Sequence, residues 1–170
     1  MSGAAGVVIT GAYGVGKSSV VEEMAELLEQ DHIPYGAIDV DWLWWFDVPG
    51  VGDEASRKVL FANLESVARN YLDAGVIRFL LAWSIRDQRD LDALRRVLPF
   101  PLRVVHLTAS IEMIRERMAS AVTVGRQRDL RNAEKWFHEG TGSNLGDVTV
   151  ANDRPIREVA TQILDLLEWH

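Results

Sequence analysis

Apolar positions along the chain change their period several times, and each change marks an element. Gly6-Val7-Val8-Ile9-Thr10 is a short β-branched run followed at once by glycine-rich sequence, which predicts a buried parallel strand. Behind Lys17, the residues Val20, Val21, Met24, Ala25, Leu27 and Leu28 recur at helical spacing, with Glu22, Glu23, Glu26 and Glu29 mostly on the other side. Ile33-Pro34 breaks that helix, and Tyr35 to Val40 reads as a second strand running into Asp39 and Asp41. Helical spacing returns from Glu54 to Ala74 and stops at Gly75, and a third strand follows over Val76 to Trp83. Asp87 to Leu98 predicts a shorter helix closed by Pro99, and Leu102 to Leu107 a fourth strand. Ser110 is placed to cap a helix running to about Ala121. Residues 122–146 are polar and arginine-bearing, with a short helical piece around Asp129 to Phe137 and a glycine-rich tail; they read as a mobile segment over a site. Asp147 to Val150 can form a fifth strand, and Pro155 suits the first turn of a last helix, Ile156 to Trp169.

Strands alternating with helices predict an α/β fold: a five-stranded parallel sheet covered on both faces, a three-layer α/β/α sandwich, with its ligand at the C-terminal edge of the strands. At 170 residues and 48% hydrophobic content, one domain spanning 1–170 is expected. No apolar run approaches the roughly 20 residues that cross a bilayer, and no secretory pattern opens the chain, so a soluble, cytoplasmic protein is expected. The absence of cysteine removes disulfides and thiolate ligands, and the four histidines show no metal-ligand spacing; any metal is expected on oxygen ligands. A net charge of -7 disfavours polymeric nucleic acid as a partner and leaves room for a small phosphorylated ligand, which needs only a local basic site.

That local site is present. Gly11-Ala12-Tyr13-Gly14-Val15-Gly16-Lys17-Ser18 matches GxxxxGK[ST] at every fixed position, between a buried-strand pattern and an amphipathic helix. A phosphate chain needs many donors in a small space; glycines let backbone N–H groups turn inward, and the helix presents its positive N-terminus. Lys17 then reaches the β- and γ-phosphates of a nucleoside triphosphate, ATP, and the Ser18 hydroxyl reaches Mg²⁺, with Ser19 the next helix residue beside the loop.

On this motif and its layout the chain resembles the small P-loop kinases of the nucleotide, shikimate, gluconate and adenylylsulfate kinase group. The loop GAYGVGKS also resembles that of tunicamycin-resistance-type ATP-binding proteins. The resemblance implies transfer of the ATP γ-phosphate to a hydroxyl of a small-molecule acceptor. It implies that Asp39, in the Asp39-Val40-Asp41 motif ending the second strand, lies near Mg²⁺, and that Asp41 accepts a hydrogen bond or proton from the attacking hydroxyl. It makes residues 122–146 a LID, with Arg126 and Arg128 as the first candidates to close over the phosphates and Arg117 next. It also takes the chain around the adenine at Asn152 and Arg154. Each assignment has a plainer counterpart: Asp41 as a helix cap, the arginines as a solvated face partnered by Glu116 or Asp129, and the Asn152 turn as a cap for the last helix.

The cluster Trp42, Trp44, Trp45 and Phe46 directly after Asp41 either lines an apolar or planar acceptor or anchors this lobe to the core. Trp83 and Ser84, ending the third strand, are further candidates for the acceptor pocket. The chain departs from the kinase pattern there, since Ala82-Trp83-Ser84-Ile85 offers no acid to the metal and leaves Asp39 or Asp87 to supply one. Three rivals stand beside the kinase reading. A GTPase is suggested by Asp47-Val48-Pro49-Gly50 but lacks NKxD; a polynucleotide kinase is opposed by the acidic balance; an ATP-dependent sequestering protein would bind without transfer.

Overall fold

The computed structural model describes residues 3–119 and 124–170, and of 124–128 the backbone alone. Strands β1 (Ala5–Thr10), β2 (Tyr35–Asp39), β3 (Arg78–Ala82), β4 (Leu102–Thr108) and β5 (Val148–Ala151) form a single sheet in the order β2-β3-β1-β4-β5. Every pairing is parallel; Val8 at the centre faces Leu81 on one side and Val104 on the other. Parallel neighbours require crossovers, and helices α1 (Lys17–Gln30), α2 (Asp53–Asp73), α3 (Gln88–Val97) and the pair α4 (Ile111–Met118) and α5 (Val124–Glu139) supply them, while α6 (Ile156–Leu167) follows β5 and packs on α1.

The strand alternation sorts the core into two layers. Val7 and Ile9 point into one cluster with Val20, Met24, Leu28 and Ile163 of α1 and α6. Val8 points the other way, among Leu60, Leu64 and Leu94 of α2 and α3. The central strand is thus apolar on both faces, which is why it reads as an uninterrupted run.

Most predicted stops and starts hold for their stated reasons. Gly75 follows the α2 terminus at φ 95°, and Ser110 accepts a hydrogen bond from the Met113 amide at 3.2 Å. The second strand ends at Asp39, one residue early, because Val40–Trp44 winds into a 3₁₀ turn. The largest difference lies after α4. The short helical piece expected at 129–137 is the longer α5, and described residues from 133 to 142 make contacts with the rest of the fold. Ala133 and Trp136 are buried against Ala12 and Ile114, Arg115 reaches Glu134 at 2.9 Å, and Gly142 lies so near the Ile85 carbonyl that a Cβ there would come within 2.6 Å. Among the described residues no helix is long and apolar enough to cross a membrane.

Candidate active site

The loop between β1 and α1 lies where the sheet order reverses around its central strand, the usual place for a ligand in this architecture. Its glycines are required by space as well as by conformation. Gly11 has φ 143° and a Cβ there would meet the Leu107 carbonyl at 2.4 Å; Gly16 has φ 101° and would meet the Asn152 amide at 2.5 Å. The loop is held from behind. Ser84 Oγ donates to the Gly11 carbonyl (3.2 Å), while Asn152 Nδ2 (2.8 Å) and Arg117 Nη1 (3.0 Å) both donate to the Val15 carbonyl. Arg117 Nη2 also donates to the Asn152 carbonyl at 2.8 Å. Because C=O and N–H oppose one another across a planar trans peptide, pinning the Val15 carbonyl turns the Gly16 amide the other way.

Lys17 crosses the loop, its Nζ donating to the carbonyls of Gly11 (3.2 Å) and Ala12 (3.0 Å) with the Tyr13 ring 5.4 Å away. Burial pulls its ammonium down to about 8, against the opposing pull of Asp41, Asp39 and Asp129. By accessible surface the side chain is only half-buried, so the shift carries the cost of facing a low-dielectric loop rather than complete enclosure. An ammonium held in that setting is stabilised by an anion placed beside it.

The two carboxylates of the Asp39-Val40-Asp41 motif take different places. Asp39 accepts the Ser18 hydroxyl at 2.8 Å with one oxygen and the Asp41 amide at 3.2 Å with the other, so Asp39 caps the 3₁₀ turn and Asp41 does not act as that cap. Asp41 points into the cleft, its pKa raised by burial and by the Asp39 charge, with Lys17, a hydrogen bond from Trp44 and Arg86 pulling the other way. Asp87, the other acid considered for the metal side, is spent capping α3 through the Asp90 amide at 3.0 Å.

The loop, the carboxylates and the aromatics share one cleft of about 1230 Å³. Among its lining residues are Gly14, Lys17, Ser18, Ser19, Asp39, Asp41, Trp42, Trp45, Arg117, Asn152 and Arg154. Trp42 and Trp45 are exposed, while Trp44 packs on the α2 and α3 side of the core, so the aromatic cluster divides between its two readings. Trp83 departs from the expectation of an acceptor-lining ring. It is buried in the core, edge-on to Phe61 at 5.9 Å, and meets Asp41 only across a gap of about 20 Å³. Asn152 also differs from a base-reading residue, its amide being committed to Val15. Arg154, at the cleft rim, reaches Gln162 and Asp153. Arg126 and Arg128 lie on α5, and their side chains are outside the described residues.

The donor set fits Mg²⁺ and a triphosphate. Ser18 and Asp39 put hard oxygens side by side at the helix start, next to the amide cradle and the lysine. No group of three acidic or imidazole side chains is gathered closely enough to hold an ion among the described residues, so an ion here depends on phosphate oxygens as well.

Sequence reasoning missed a charged cluster behind Asp41. Arg57 Nη1 lies 2.5 Å from Asp90 Oδ1, and the other Asp90 oxygen accepts the Arg86 amide at 3.0 Å. The available signal was an acid on the buried face of α3, beside Leu91 and Leu94. Asp129, one of the charges facing Lys17, was likewise read only as an arginine partner.

This sheet order, loop and cleft define the fold of the small P-loop kinases. Three solved structures make the likeness concrete. The adenylylsulfate (APS) kinase of Mycobacterium tuberculosis in complex with AMPPNP and APS superposes with a TM-score of 0.67 at 22% identity, covering 99% of both chains. The tunicamycin resistance protein of Deinococcus radiodurans has a TM-score of 0.65 at 17% identity, over 96% of this chain and 95% of that one. A gluconokinase from Sinorhizobium meliloti follows at 0.59 and 21%, over 99% and 98%. At such identities the likeness is one of fold. No family model and no curated protein matches the sequence.

Proposed function

We propose that this protein is an ATP-dependent kinase that moves the γ-phosphate to a hydroxyl of a small-molecule acceptor. The observation that carries the proposal is the position of Asp41. A carboxylate with a raised pKa stands in the same cleft as the Ser18–Asp39 pair and Lys17, where an attacking alcohol must lose its proton. The fold shared with adenylylsulfate kinase and gluconokinase supports the same class of chemistry.

In this reading the loop amides and Lys17 hold the β- and γ-phosphates, and Ser18 and Asp39 hold Mg²⁺. The metal, when bound, neutralises charge on the phosphate oxygens. Asp41 orients the acceptor hydroxyl and takes its proton; Trp42 and Trp45 flank the acceptor. Arg117 and Asn152 keep the loop in shape from behind, and Arg154 stands where the chain passes the base. Arg126 and Arg128 are proposed to close over the transferring group, a contribution of order 10³–10⁵ in rate where arginines play that part.

The test is acceptor-dependent phosphoryl transfer, followed by phosphorus NMR with MgATP and a panel of small alcohols. Asp41→Asn is expected to cut transfer by about 10²–10⁴ while ATP still binds. Undiminished transfer by that variant removes Asp41 from the mechanism. The fold shared with the tunicamycin resistance protein favours a second reading, an ATP-binding protein that sequesters its target; it takes over if no hydroxyl compound ever yields a phosphorylated product.

A further inference from the structure

Trp42 and Trp45 pack tilted against one another with centroids 4.6 Å apart and planes at 39°, yet stay 66% and 75% exposed at the side of the cleft that holds Asp41. Their position does not depend on their own burial. The 3₁₀ turn that presents them is tied to α2 by Asn63 Nδ2, which donates to the Leu43 carbonyl at 2.7 Å, and Trp44 seats the turn on the core. The turn thus holds two large flat rings in water beside a carboxylate, an arrangement that gains free energy when an apolar or flat face covers them.

The charges around them limit what that can be. Arg57, the cation on α2 facing this region, is closed off by Asp90, whose side chain is 4% exposed. Arg86 borders the small gap behind Asp41 rather than the cleft, Lys17 and Arg117 belong to the phosphate loop, and Arg154 at the rim reaches Gln162 and Asp153. Asp39, Asp41 and Asp129 line the same cleft. Among the described residues, each cation that lines the cleft is therefore already engaged, and an acceptor anion there would be set against carboxylates.

We infer that the ligand this cleft takes beside the nucleotide, the phosphate acceptor in the kinase reading, is an alcohol that carries a flat ring and no negative charge, with the ring covering Trp42 and Trp45 and its hydroxyl directed at Asp41. The inference rests on the kinase reading only for the role of Asp41. The rings and the neutralised arginine select the acceptor whether or not phosphate is transferred.

The experiment measures binding and transfer separately. With the nucleotide site saturated by MgAMPPNP, calorimetry compares uridine and adenosine, which are flat and uncharged, with their monophosphates, which are flat and anionic, and with ribose and gluconate, which lack a flat face. The nucleosides are expected to bind at least tenfold tighter than either other set. The double variant Trp42→Ala/Trp45→Ala should lose about tenfold of that affinity, and both rings are exposed enough that the fold does not rely on them. Asp90→Asn, which releases Arg57, should narrow the preference by improving the monophosphates. Monophosphates or gluconate binding as well as nucleosides overturns the inference, as does nucleoside affinity untouched by loss of both rings, or no nucleoside binding at millimolar concentration. Replacing AMPPNP with ATP separates the two claims. Nucleosides that bind and are never phosphorylated leave the inference standing and sink the kinase reading; a phosphorylated gluconate does the reverse.

Discussion

Ser18 Oγ donates to Asp39 Oδ2 across 2.8 Å, joining the first turn of α1 to the end of β2. The two residues lie 21 positions apart, and the bond sets a hydroxyl and a carboxylate on one side of the loop that cradles phosphate. Removing either should change the response to the metal. Asp39→Asn is expected to raise the Mg²⁺ concentration for half-maximal ATP binding by about 10–100-fold, the usual effect of losing a metal-supporting carboxylate. A Mg²⁺ titration followed by fluorescent nucleotide displacement checks it; an unchanged midpoint removes Asp39 from the metal site.

Lys17 titrates near 8 in the free protein because burial disfavours its charge. A bound triphosphate favours the charged form and raises that value, so binding must take up a proton wherever the free lysine is neutral. ATP affinity should be flat below pH 8 and fall as pH rises above it. Calorimetry in buffers of different ionisation heat should show proton uptake growing between pH 7 and 9. The sign for folding is the opposite. The free fold binds fewer protons than the unfolded chain between about 8 and the ordinary lysine value of 10.5, so this group makes stability rise with pH across that window. Lys17→Ala should cost about 2–5 kcal/mol of ATP binding, and undiminished affinity defeats the phosphate assignment.

Asp41 carries a raised pKa, so its ionised form is the less favourable one in the fold. The native state binds more protons than the unfolded chain from the ordinary value of 3.8 up to the raised one, and stability contributed by this group is lost as pH rises through that window. Asp41→Asn is therefore expected to raise the melting temperature of the free protein, on the order of a few degrees, while lowering turnover. In the unmutated protein the acid limb of kcat/KM, which reports the free enzyme, should lie above the ordinary carboxylate range. A melting temperature that drops on substitution contradicts this account.

The loop itself depends on its rear supports. Asn152→Ala removes one of the two donors to the Val15 carbonyl, Arg117 being the other, from a residue 3% exposed, which should destabilise the protein by about 1–3 kcal/mol. Ser84→Ala likewise leaves the Gly11 carbonyl with Lys17 as its remaining donor. Both variants should raise KM for ATP more than they lower kcat, since the loop is bent before chemistry begins. Denaturant unfolding and steady-state kinetics on the pair decide it. An Asn152→Ala protein of unaltered stability and KM leaves that amide without the supporting role.

What could be read directly was whatever the chain specifies within one strand-turn-helix unit. The loop motif, the helix behind it, the Gly75 stop and the Ser110 cap are local, and spacing alone orients their groups. The Asp39-Val40-Asp41 motif was legible for the same reason, although the chain did not say which acid would cap the turn. Tertiary structure decided what depends on distant pieces meeting. Asn152 grips Val15 from 137 residues away, Arg117 from 102, and Ser84 reaches Gly11 across 73. No periodicity encodes such pairs, because a polar side chain meant for a buried carbonyl reads in sequence like one meant for water. The same holds for Arg57 and Asp90, and for the tryptophans. One aromatic run sends Trp44 inward and leaves Trp42 and Trp45 in solvent, since a 3₁₀ turn, absent from any strand or helix pattern, sets which way each ring faces.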